Sequence, residues 1–141
     1  MENWLERLRR RIVGARPTAA QGNVSPGAEA EDLAATLLTR QGLKILSRNV
    51  RCRGGEVDLI ALEGATVVFV EVRLRRNRQF GGPAASIGPA KQARVTLAAR
   101  HWLAGTGRRW QTAPCRFDAV VLAELSLGSV EWIRGAFPEK V

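Results

Sequence analysis

The chain has 141 residues, of which 45% are hydrophobic and 25% charged, and this length and balance are typical of one soluble globular domain. Its 22 Lys and Arg against 13 Asp and Glu give a net charge of +9, which favours polyanionic partners, and only three of those basic residues are lysines. Two cysteines and one histidine exclude a Cys/His zinc cluster, and the absence of a signal peptide or a long apolar run predicts a cytoplasmic protein without a membrane partner.

The N-terminal part of the chain predicts a basic leader rather than part of the domain. Residues 3–13 have the apolar spacing of a short helix, and residues 14–27 are rich in small and turn-forming residues. We therefore expect residues 1–27 to be loosely held and the folded domain to span residues 28–141. The alternative for the basic charge as a whole is that it reflects composition and not a binding function.

From residue 29 the pattern predicts alternating helices and strands. EAEDLAATLLTRQG (29–42) has a leucine stripe and ends at Gly42, and the later helix 90–105 ends at Gly105. Strands are predicted from apolar runs at 44–53, 55–63, 66–75, 115–125 and 129–137, with a Gly/Pro-rich loop at 77–90. The order α-β-β-β-α-β-β predicts an α/β domain with a mixed sheet flanked by helices.

Two acidic residues stand inside the apolar strands GEVDLIALEGATVVFVEVRLR, residues 55–75. A two-residue turn at Gly64-Ala65 pairs Glu63 with Thr66 and places Asp58 opposite Glu71. Since side chains alternate along a strand, Glu56 lies on the face of Asp58 and Arg73 on the face of Glu71, and the same register places Glu56 opposite Arg73.

Two carboxylates at cross-strand distance repel each other, so the pair requires a cation. Oxygen ligands suit Mg²⁺ or Mn²⁺, and such a site can support phosphodiester hydrolysis. The alternative is an ordinary cross-strand ion-pair network in which Arg73 and Arg75 neutralise the acids. Asp118, in CRFDAVV, is expected to pair with Arg116 or a neighbouring strand and not to bind a ligand.

Several motifs in the same order resemble the YraN family of bacterial proteins: AEDLAATLLTRQGLKILSRNVRCR, the 55–75 run, FGGPAASIGPAKQ and CRFDAVV. This resemblance covers roughly residues 27–137. Family members look like relatives of archaeal Holliday junction resolvases, which implies a restriction-endonuclease-like fold, a nuclease motif D…(D/E)-x-K, and DNA as the partner. Junction resolvases work as symmetric dimers, so a homodimer is an expectation by analogy alone.

Carried over by position, the resemblance implies that Glu31, Asp58 and Glu71 are the metal ligands and that Asp58 and Glu71 are catalytic. The motif lysine falls on Arg73, which cannot act as a base but can hold a phosphate. Lys91 would supply an amine if its side chain reached the acids; the preferred interpretation is a solvated surface lysine that is available to nucleic acid.

Two arginine groups flank the acidic hairpin and are expected to hold phosphates on either side of it. Together with Lys91 they are Arg48, Arg51 and Arg53 before the hairpin and Arg75, Arg76 and Arg78 after it. Three functions stay open: a metal-dependent structure-selective endonuclease, a non-catalytic nucleic-acid-binding module on the same scaffold, and an interaction protein that docks an acidic partner.

Overall fold

The computed structural model describes residues 25–74, 87–123 and 130–138 of the chain. The predicted helix at 3–13, the loop at 77–86 and the arginines at 75, 76 and 78 lie outside these residues. Within them the elements are α1 (Pro26–Arg40), β1 (Lys44–Cys52), β2 (Gly55–Glu63), β3 (Thr66–Leu74), α2 (Pro89–Ala104), a 3₁₀ helix (Arg108–Trp110), β4 (Cys115–Leu122) and β5 (Val130–Phe137).

The predicted α/β architecture is confirmed. The five strands form one sheet in the order β1-β2-β3-β4-β5; β3 and β4 run parallel, and the other neighbours are antiparallel. The parallel pair is joined through α2, as a crossover connection requires. This mixed sheet with two helices is the arrangement expected of a restriction-endonuclease-like domain.

Local sequence explains where the elements begin and end. Ser25 caps α1 by accepting a hydrogen bond from the Ala28 N–H at 3.1 Å, and Pro26 occupies the first turn. α1 therefore starts three residues before the predicted Glu29. At the hairpin, Glu63 pairs with Thr66 as predicted, and Gly64 has φ +60°, which a tight two-residue turn demands.

The sheet separates two apolar layers. The α1 layer packs leucines of that helix, among them Leu33, Leu37 and Leu38, against β2, β3 and β4. The α2 layer includes Phe69, Trp102 and Phe117, with Phe69 and Phe117 stacked at 5.4 Å between ring centroids. No helix in the part of the chain that the structure describes is long and apolar enough to cross a membrane.

One close contact fixes α2 against β2. A Cβ atom on Gly55 would lie 2.7 Å from the Arg94 carbonyl oxygen and 2.9 Å from the Ala98 nitrogen, both in the α2 backbone. Only glycine permits this approach, because any side chain would overlap the helix. The contact brings the first turns of α2 beside the strand that carries Asp58.

Candidate functional site

The β2–β3 ladder is interrupted where the acidic residues lie. Paired residues run from Glu63–Thr66 to Leu59–Val70. Val57 and Ile60 both pack in the α2 layer, although regular alternation would put residues three apart on opposite faces. The strand is therefore irregular at Asp58, in the manner of a β-bulge. The predicted regular pairing of Asp58 with Glu71 is wrong in this detail.

Asp58 compensates for the interruption with its own side chain. Its Oδ2 accepts a hydrogen bond of 2.8 Å from the backbone N–H of Val72, one residue beyond Glu71. The aspartate side chain thus binds the β3 backbone beyond Leu59–Val70, where the paired residues of the β2–β3 ladder end. Asp58 and Glu71 lie side by side on adjacent antiparallel strands, as predicted, but through a side-chain contact and not through strand register.

Glu71 is a buried carboxyl, with 3% of the residue exposed. Its pKa is raised from 4.5 to about 8, chiefly by burial and then by the charge of Asp58 and a hydrogen bond between the two carboxyls, against the charges of Lys91 and Arg73. Its Oε2 atom is the one buried side-chain oxygen among the described residues that accepts no hydrogen bond. Glu71 is thus protonated at neutral pH unless a cation stabilises its charged form.

Lys91, at the start of α2, reaches the acids. Its Nζ lies 3.0 Å from Glu56 Oε1 and 3.5 Å from Glu71 Oε2, and 22% of its side chain is exposed. The second contact is too long for a good hydrogen bond. Burial lowers the pKa of Lys91, but the hydrogen bond to Glu56 and the charges of Glu71 and Glu56 outweigh burial and raise it overall.

The preferred interpretation of Lys91 as a solvated surface lysine is therefore wrong. The alternative, that its amine reaches the acids, is the arrangement observed. Glu56, expected opposite Arg73, is instead the hydrogen-bond partner of Lys91, and Arg94 lies 3.5 Å from the same Glu56 oxygen. Lys91 and Arg94 are one helical turn apart, which is the signal that could have predicted a shared carboxylate.

Glu31 approaches the pair from α1 on the other side of the sheet. Partial burial and then the charge of Asp58 raise its pKa, against a hydrogen bond from Asn49 and the charge of Arg48. Within the described residues, however, no three or more His, Cys, Asp or Glu side chains are arranged to hold a metal ion. Asp58 and Glu71 form the close pair, and Glu31 stands near it.

The predicted basic residues have different surroundings. Arg48 is exposed and donates to Asp32 at 2.7 Å, and the exposed Arg51 lies near enough to Glu56 to contribute to its lowered pKa, whose main cause is Lys91. Arg53 is exposed in the β1–β2 turn. Arg73 is half-buried, and its positive charge acts on Glu71.

Asn49 was not predicted as part of the site. It lies in the edge strand β1 with φ +51°, a left-handed conformation that asparagine tolerates better than most residues, and its side chain bonds Glu31. No sequence pattern marks it, because the contact depends on how β1 passes α1.

The comparison with known proteins identifies the family. The family model for "Uncharacterised protein family UPF0102" matches residues 30–122. The chain belongs to this family. The matched segment contains Glu31, Asp58, Glu71 and Lys91, and the YraN resemblance is confirmed.

Individual UPF0102 proteins are similar over most of their length. One from Methylobacillus flagellatus is 50% identical over 111 residues, which cover 79% of this chain and 95% of that protein. One from Cupriavidus taiwanensis is 57% identical over 113 residues, 79% of this chain and 81% of that protein. One from Bordetella avium is 49% identical over 140 residues, 97% of this chain and 88% of that protein.

Proposed function

We propose that this UPF0102 protein is a metal-dependent, structure-selective endonuclease that acts on DNA. The observation that carries the proposal is the Asp58–Glu71 pair, with a buried carboxylate oxygen that accepts no hydrogen bond and a lysine amine 3.5 Å from it. Structural carboxylates buried in a sheet are normally satisfied by donors. A carboxyl with a raised pKa beside a second acid and an amine is typical of a catalytic site.

The donor set suits a hard divalent cation, Mg²⁺ or Mn²⁺, because all candidate ligands are carboxylate oxygens. Asp58 and Glu71 would hold the ion, and Glu31, which is not yet arranged with them as a third ligand in this structure, would join them when the ion binds. When bound, the ion supplies charge neutralisation and an activated water for phosphodiester hydrolysis.

The basic residues would hold the substrate. Lys91 provides the amine that the nuclease motif lacks at Arg73, and its contact with Glu56 keeps that amine at the edge of the acidic pair. Arg73, whose charge already acts on Glu71, would bind the scissile phosphate. The exposed Arg48, Arg51 and Arg53 would bind neighbouring phosphates and make affinity depend on salt.

One observation favours the second candidate, a nucleic-acid-binding module that does not cleave. Lys91 lies where a cation would neutralise Glu71, so the protein's own amine offsets part of the charge that would otherwise attract a metal. In this case the basic surface binds nucleic acid and the acidic pair is a buried ion-pair network.

The test is a Mn²⁺ titration followed by amide NMR, with cleavage of a branched DNA in Mg²⁺ as the second readout. For the nuclease we expect paramagnetic broadening centred on Asp58 and Glu71, lost in Asp58→Ala and retained in the control Asp32→Ala, an exposed aspartate of α1. If the wild-type spectrum shows no localised broadening, the metal site is overturned and the nucleic-acid-binding module remains.

Lys91→Met separates the two candidates further. Removing the competing amine should strengthen Mn²⁺ binding about tenfold, since one nearby charge is lost, and slow cleavage about 100-fold if the amine contacts the phosphate. The control is Arg94→Met, which removes the other positive charge that contacts Glu56 and leaves the amine beside Glu71 in place. Tighter Mn²⁺ binding with no cleavage by the wild type supports the non-catalytic candidate.

A further inference from the structure

A polar cavity of about 370 Å³ lies between β1 and the C-terminal end of α2. Residues 47–51 form one wall, and His101, Trp102, Gly105 and Thr106 form the other. Its volume is at the small end of the range for small-molecule sites. The cavity is large enough for one small planar ligand and far too small for a duplex.

The lining is cationic and rich in hydrogen-bonding groups. Arg48 and Arg51 stand on the β1 wall, and none of the residues that line the cavity is acidic. Arg48 pairs with Leu59 of the α1 layer and donates to Asp32 of α1, so its guanidinium is held on the α1 side of the sheet and Arg51 is the cationic group that remains for a ligand. Ser47, Asn49 and Thr106 add hydroxyl and amide groups. Such a lining suits an anionic ligand with polar edges.

The cavity adjoins the acidic site. Asn49 lines the cavity and also bonds Glu31, and Arg51 lines the cavity and lies near Glu56. Asn49, whose backbone is left-handed with φ +51°, is thus the β1 residue that lies between the cavity and the acidic site. A strand whose phosphate lies at Asp58 and Glu71 can therefore place a neighbouring nucleotide at the cavity.

We propose that this cavity binds one unpaired nucleotide of a nucleic-acid strand, with its phosphate on Arg51 and its base in the cavity. The inference rests on the proposed function, since it names the part of the substrate that the site selects. A paired base is stacked and presents its edges to its partner, so only an unpaired or extruded base can enter. The cavity thereby selects strands with unpaired nucleotides beside the bound phosphate.

The experiment uses the full chain without metal, so it does not depend on cleavage or on the acidic pair. Titration with deoxyadenosine 5′-monophosphate should shift the amides of residues 47–51 and 101–106, while inorganic phosphate alone should bind more weakly and shift mainly the amide of Arg51. At about 0.15 M salt, a single strand of about 12 nucleotides should bind about tenfold more tightly than the same sequence as a duplex.

Thr106→Trp fills the cavity from an exposed turn and should weaken single-strand binding about tenfold without changing duplex binding. The matched control is Thr112→Trp, an exposed threonine that does not line the cavity and should change neither affinity. If Thr106→Trp loses the dispersed amide spectrum of a folded chain, Arg51→Gln replaces it, with the exposed Arg108→Gln as the charge-matched control.

Equal binding of single strand and duplex, an unchanged affinity in the cavity variants, or nucleotide shifts that inorganic phosphate reproduces in full would overturn the inference. The Mn²⁺ titration remains independent of these outcomes. Loss of the metal site with retained nucleotide shifts would remove the nuclease and keep the cavity; the reverse result would remove only the cavity.

Discussion

Two buried carboxylates in the same sheet have opposite surroundings. Asp118, in β4, is fully buried and accepts four hydrogen bonds: two from Arg116, at 2.8 and 2.9 Å, one from the Trp132 indole and one from the Gly135 N–H. Glu71, in β3, is buried almost as deeply but has an oxygen that accepts none. Equal burial therefore does not mean an equal role.

Both places are irregularities of the sheet. The β4–β5 register shifts between Phe117 and Ala119, and Asp118 binds the Gly135 N–H across that shift. Asp58 binds the Val72 N–H in the same manner where the β2–β3 ladder ends. An aspartate beside a bulge thus restores a lost backbone bond in both, but only at Asp58 does a second carboxyl adjoin it. Because Glu71 lies beside Asp58, this second irregularity is a candidate functional site as well as a structural feature.

The largest effect is expected at Asp118. Asp118→Ala leaves the Trp132 indole and the Gly135 N–H without their acceptor and leaves the partly buried Arg116 only its contact with Glu63 at 2.9 Å, so we expect a loss of about 3–5 kcal/mol of unfolding free energy. Urea denaturation measures it. The control Asp32→Ala removes an exposed aspartate with one ion pair and should cost less than about 1 kcal/mol. Similar losses in both variants would contradict the structural role.

Replacing Glu71 should stabilise the protein, whereas replacing Asp118 should destabilise it. Its proton is bound more tightly in the folded state, with a pKa of about 8, than in the unfolded state near 4.5. The unfolding free energy of the wild type should therefore fall as pH rises between these values. A glutamine side chain cannot titrate, so the unfolding free energy of Glu71→Gln minus that of the wild type should increase by about 2–4 kcal/mol from pH 5 to pH 8.

Denaturation at several pH values checks the Glu71 prediction. Glu63→Gln is the control of opposite sign, because Arg134 lowers the pKa of Glu63 and its contribution to stability is lost as pH falls. Parallel pH profiles for the wild type and Glu71→Gln would show that Glu71 is charged in the folded protein, and the comparison with Asp118 would lose its basis.

The fold was predictable from local sequence because its signals are local. The leucine stripe of α1, the glycine stop at Gly42 and the apolar runs of the strands depend on residues within one turn or one strand. The start of α1 was placed late because Ser25 and Pro26 lie in a segment that reads as a linker, although their capping chemistry fits a helix start.

The site was predictable only in part. Asp58 and Glu71 were visible as charges inside apolar runs, and Asp118 was correctly expected to pair with Arg116. The contacts of Lys91 were not predicted because they depend on how α2 packs against Gly55, whose contacts with Arg94 and Ala98 join residues 39 and 43 positions apart in sequence. The cavity could not be predicted at all, since its two walls come from β1 and the end of α2.

The smallest effect is expected at the rim of the Asp118 network. Arg134 donates to both oxygens of Glu63 at 2.7 Å, but 49% of its side chain is exposed, so water screens the pair. Arg134→Gln should cost about 0.5 kcal/mol in urea denaturation, far less than Asp118→Ala. A loss above about 2 kcal/mol would exceed what the exposed ion pair and the stacking of Arg134 on the Trp132 ring, 3.9 Å from its centroid, can supply, and would place the rim and the buried carboxylate in one cooperative unit.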